Sequence, residues 1–169
     1  MKDSVSQLGI RGVVPIEKMT GDEPEDTVLL GQLRDTASKY LLSFSWCVSI
    51  LETYYGDGVA GIVGVFLFRL LSARPEIDEW LWVVVGDLPP AYFVTDDLKS
   101  PYEVLEAYIE HRSRWVKCAM EGKTPPHDVM PIDDVPPTAE WAKDLQTRLD
   151  TLREHILPSF ANGQRGGGA

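Results

Sequence analysis

The chain has 169 residues, 44% of them hydrophobic and 25% charged, and its 16 Lys and Arg against 26 Asp and Glu give a formal charge of −10. That length buries a core within one domain, and the negative balance opposes nucleic-acid phosphates and anionic lipid, because no basic patch gathers to reverse it. The same balance serves solubility and suits a basic protein surface as partner.

The run VVPI at 13–16 predicts an edge strand, since Pro15 is poorly placed in a central ladder. Asp22, Pro24 and Glu25 have the pattern of a helix start, with Asp22 accepting from an early amide. Leu29, Leu30, Leu33, Ala37, Tyr40 and Leu41 then recur at helical spacing, which predicts a helix over 24–42.

The period changes at Phe44, Trp46, Val48 and Ile50, whose alternation predicts a strand over 44–52. YYGDG breaks that run, and a second strand is expected over 61–70, with a short buried helix as the alternative reading of GIVGVFLFRLL. Gly56, Gly58 and Gly61 reproduce the spacing of a dinucleotide-binding turn. A phosphate-binding turn opens a helix, however, and a strand follows here, so joining strands is the expected role.

Residues 73–78 supply the next turn, and WLWVVV at 80–85 is apolar on both faces, as an interior strand covered by helices requires. Pro89 and Pro90 remove successive amide donors and should interrupt the ladder, with a return to strand over 91–95 in a local meander. Ser100-Pro101-Tyr102-Glu103 is the best helix start in the chain: the serine caps, the proline needs no donated bond, and the glutamate completes the reciprocal cap. Leu105, Tyr108, Ile109, Arg112, Trp115, Val116 and Ala119 trace one side of the helix that follows, to about residue 121.

Residues 121–138 carry too many prolines for a helix and are expected to wrap over the body through Val129, Met130, Ile132 and Val135. A final helix over 138–157 presents Trp141, Leu145, Leu149, Leu152 and Ile156 on its apolar side, until Pro158 and Asn162-Gly163 stop it. The fold class is therefore α+β or α/β, with a central three- to five-stranded, mainly antiparallel sheet packed against about three helices. One globular domain is expected over 1–162 and a flexible tail over 163–169.

Cys47 and Cys118 do not form a disulfide framework by number or spacing, and they fit reduced, buried side chains of a cytoplasmic protein. The first residues lack the pattern of a secretory signal, and the apolar run at 59–68 is too short to span a membrane. His111, His127 and His155 stand apart, so neither a metal nor a cofactor is expected. Cys47, set among Trp46, Val48 and Ile50, matches a buried strand residue better than a nucleophile, and Ser43, Ser45 and Ser49 lack the G-x-S-x-G turn.

Three functions fit this pattern. The leading one is a regulatory or inhibitory protein-binding domain, whose acidic loop residues Asp128, Asp133 and Asp134 meet a basic protein. An enzyme reading, hydrolysis or another acid/base conversion of a small molecule, places Glu52 and Asp87 at strand ends as the proton-transfer pair, with Tyr54 or Tyr55 as orienting donor. A third reading is self-association through a sheet edge.

Overall fold

The computed structural model describes residues 5–130, 132 and 138–160. Its elements in chain order are β1 (Val14–Pro15), a single 3-10 turn (Ile16–Lys18), α1 (Pro24–Leu42), β2 (Cys47–Val59), β3 (Val63–Ser72), β4 (Trp80–Gly86), β5 (Leu88–Val94), α2 (Pro101–Met120) and α3 (Ala139–Thr151). The five strands form one antiparallel meander in chain order, and with three helices packed on it the molecule is a single α+β domain.

β4 organises the layers. Trp80, Trp82 and Val84 face α2 and α3, packing with Leu105, Tyr108, Trp115, Leu145 and Leu149, while Leu81, Val83 and Val85 face α1 and pack with Ala37 and Leu41. All six are buried, so the valine-rich run has no wet side. Burying an apolar side chain of this size contributes roughly 1.5–3 kcal/mol, and β3 repeats the alternation with Val63, Val65 and Leu67 against Phe66, Phe68 and Leu70.

Local rules set the helix starts. Ser100 Oγ accepts from the Glu103 amide at 3.3 Å, and Glu103 Oε1 accepts from the Lys99 amide at 2.6 Å, which opens α2 as expected. In α1 the cap is Glu23 instead of Asp22: its side chain accepts from the Asp26 amide, and Asp26 Oδ2 accepts from the Glu23 amide at 3.2 Å. Asp22 lies one residue too early to reach that turn.

Three further expectations are corrected. β2 begins only at Cys47 and runs through YYGDG to Val59, with its turn at 60–62. The glycines serve close approach there, because a Cβ at Gly56 would stand 2.8 Å from the Val65 carbonyl oxygen and 2.9 Å from Pro101 Cγ. Pro89 and Pro90 lie inside β5, which tolerates them as an edge strand with a register shift between Val84 and Gly86. Trp141 remains 48% exposed, and the last helix passes Pro158 to Phe160 after a π turn at Leu152–Ile156 that re-aims its apolar side. Val135 and the 163–169 tail lie outside the described residues.

Gly86, at the β4–β5 turn, adopts φ +154°, and a Cβ there would meet the Ile62 carbonyl oxygen at 2.1 Å. Gly31 sits in α1 with open space around a would-be Cβ. Gly86→Ala should therefore cost at least ~2 kcal/mol, whereas Gly31→Ala should stabilise by roughly 0.5–1 kcal/mol. Urea unfolding monitored by tryptophan fluorescence checks both.

Candidate partner-binding edge

The two edges of the sheet are finished differently. On β5, Pro89 and Pro90 have no amide to offer, and their carbonyls are taken from α2: Tyr108 OH donates to Pro89 O at 2.5 Å and Arg112 Nη2 donates to Pro90 O at 2.7 Å. The segment after α2 closes over the same side. Arg112 Nη1 donates to Met130 O at 2.7 Å, the Met130 amide donates to His111 Nε2 at 2.9 Å, and Tyr40 OH from α1 reaches Met130 Sδ at 3.6 Å.

β2 has no such cover. β1 supplies only two residues, opposite Tyr55 and Tyr54, and among the described residues no strand lies along the outer side of Val48 to Leu51. Val48, Leu51 and, on the adjacent β3, Leu71 are 55%, 49% and 50% exposed there. A strand edge with this apolar content is ordinarily blocked by charge, proline, a β-bulge or a covering loop, and along this stretch β2 carries only two register shifts, at Val48 and at Leu51.

Two depressions lie along β2 on either side of the β1 pairing. The first, about 440 Å³, is lined by Pro15, Ile16 and Glu17 with Ile50 to Tyr54. The second, about 460 Å³, is bordered by Asp22, Asp26, Tyr55 and Asp57. Among the described residues neither is lined by a lysine or arginine, and with Glu52 matched by Arg69 the acids that make the edge negative are Glu17, Asp22, Asp26 and Asp57.

The charges are not equivalent. Glu52 accepts from Arg69 Nη1 at 2.6 Å and from Tyr54 OH at 2.6 Å, and Arg69 Nε also donates to Glu79 at 2.5 Å, so one cation serves two carboxylates. The Glu52 hydrogen bond, with burial behind it, pushes the Tyr54 phenol up to about 12. Burial raises the Asp57 carboxyl above the usual carboxylate range, and the Gly58 amide, donating at 2.8 Å, offsets only part of that. Tyr55 beside it is raised by burial first, then by Asp57 and Asp22.

The structure does not bring Glu52 and Asp87 together. Glu52 stands in register with Arg69, which pairs Trp80, whereas Asp87 follows Gly86 at the other end of β4, about 20 Å away at the usual rise per strand residue. Asp87 is exposed in the β4–β5 turn, its amide donating to Ile62 O at 2.9 Å and its carboxylate 3.5 Å from Arg148 Nε. Of the proposed donors, Tyr54 does reach Glu52. Gly56 and Gly58 belong to β2 and Gly61 to the hairpin turn, with β3 following in place of a helix.

Asp128 is exposed and bonded to Arg114 Nη2 at 2.6 Å, which holds its carboxyl below the usual range. Asp133 and Asp134 lie outside the described residues. Among the described residues no three His, Cys, Asp or Glu side chains gather to hold a metal, and no helix is long and apolar enough to cross a membrane. Asp57 was the residue least visible in the sequence: its one signal is an acid between two glycines inside a strand, where burial would be costly.

Comparison with protein-family models, with curated proteins and with solved structures returned no match.

Two titrations follow from this geometry. Glu52→Gln should bring the Tyr54 phenol down toward its ordinary 10, seen as earlier phenolate absorbance that Tyr54→Phe removes. Because the folded Asp57 holds its proton above the unfolded value of about 3.9, stability falls as pH rises across that window and stays lowered at neutrality. Asp57→Asn should therefore be the more stable protein at pH 7, its advantage vanishing below about pH 3.9 in thermal scans.

Proposed function

We propose that this domain is a regulatory or inhibitory protein-binding module whose β2 edge accepts an extended partner segment bearing lysine or arginine. The observation that carries this reading is the contrast between a covered β5 edge and an uncovered, apolar and acidic β2 edge. An added strand takes its affinity from main-chain hydrogen bonds and its specificity from alternate side chains. Its apolar positions would cover Val48, Leu51 and Leu71, and its cations would meet Glu17 at one end and Asp22, Asp26 and Asp57 at the other.

Charge favours this occupant over a second copy of the chain, because two such edges side by side would set like charges against each other. Asp133 and Asp134 would add long-range attraction for the same basic partner. Asp128 contributes less, its charge being matched by Arg114.

The test uses a peptide of alternating lysine and valine, titrated into isotope-labelled protein. Amide shifts should concentrate at Val48 to Leu51, weaken with salt, and disappear in Leu51→Pro while the fold survives. Shifts scattered over the surface or gathered at β5 would overturn the reading. Concentration-dependent sedimentation of the free protein, abolished by the same substitution, would transfer the edge to self-association.

A further inference from the structure

We infer that His111 is a proton-operated fastening for the segment that covers the β5 edge, which is released from α2 when the imidazole takes up a second proton. The Met130 amide donates to His111 Nε2, so this ring nitrogen must carry a lone pair and the ring proton must sit on Nδ1. An imidazolium has two N–H donors and no acceptor, which turns the contact into donor against donor.

The surroundings leave little compensation for the added charge. Arg112 and Arg114 flank His111 on α2, Asp128 from the covering segment is the facing acid and is already bonded to Arg114, and the Phe93 ring of β5 stands perpendicular to the imidazole with ring centres 5.9 Å apart. Burial and the two arginines accordingly keep the imidazole below its ordinary range.

Release would not stop at one bond. The Met130 peptide is held on both sides, by His111 at the amide and Arg112 at the carbonyl, while Tyr40 holds its sulfur and Val129 beside it is 3% exposed. Loss of the amide contact loosens the set and costs Arg112 its Met130 partner, while Arg112 Nη2 and Tyr108 OH keep their hold on the Pro90 and Pro89 carbonyls of β5. Acidification thus detaches the covering segment from α2 without disturbing the strand it covers.

Protection of single amides against hydrogen exchange, corrected for intrinsic rates, tests this between pH 7.5 and 5. With the open segment protonating near 6.5, Met130 protection should fall about tenfold per pH unit below that point until the folded imidazole itself titrates. Val83 and Val84 in β4 should keep theirs, separating local release from global unfolding. His111→Gln, whose Oε1 accepts but does not titrate, should flatten the Met130 profile. A flat profile in the natural protein, or a fall that persists in His111→Gln, would overturn the inference. Should that variant fail to fold, imidazole and Met130 resonances of the natural protein must still move together, and titration of His111 with Met130 unmoved would be equally decisive against it.

Discussion

Everything in this molecule is arranged around a strand that cannot touch water on either face. β4 presents Trp80, Trp82 and Val84 to one layer and Leu81, Val83 and Val85 to the other, so a helix is needed on each side before the strand is stable. α1 is the helix on one face, where Ala37 and Leu41 are joined by Leu33, Phe44 and Trp46. α2 and α3 together cover the other, where two tryptophans need more volume. Gly64, in β3, belongs to this economy: a Cβ there would meet the Phe66 ring at 2.7 Å and Leu33 at 3.3 Å, so its absence lets α1 settle onto the sheet.

A five-stranded meander leaves two edges, and the two are finished differently. At β5 the cover is elaborate: two missing amides, two carbonyls held by α2, and a fully buried arginine whose Nε has no acceptor among the described residues. Burying a guanidinium is costly unless its hydrogen bonds are met. Here two carbonyls and the Tyr108 ring, 5.8 Å from the Arg112 guanidinium carbon, meet most of the need. The other edge has no comparable finish, with leucine and valine left exposed along it.

The sequence made the scaffold legible because its signals were local. The alternation of WLWVVV, the Ser100-Pro101 start and the 3.6-residue spacing of Leu105 to Ala119 each report burial over a few residues, and α2 and β4 appear within a residue of expectation. Where the reading failed, a distant contact had decided. Gly56 and Gly58 look like a turn until Pro101 and the β3 carbonyls are placed against them, and Pro89 and Pro90 look like a break until Tyr108 and Arg112 arrive to take their oxygens. The acidic edge was hidden for the same reason: Glu17, Asp22 and Asp57 are scattered along the chain, and only the β1–β2 pairing brings their segments alongside one another.

The state of the carboxylates also argues against a purely structural edge. A surface selected only for solubility would hold its acids in water, as Asp87 and Glu106 are held. Asp57 is instead withdrawn into a depression that offers it one backbone amide, with Tyr55 and Asp22 adding no positive charge. Charge burial of that kind opposes folding, and a cation arriving from another molecule would relieve it. The relief is greatest for a guanidinium or ammonium that enters on an apolar stem, since the stem can lie against Leu30 and Val59 while the head meets the acid. The same site that weakens the isolated domain would then strengthen its complex, with electrostatic attraction drawing the partner in and desolvation at Asp57 selecting for a basic side chain of sufficient reach.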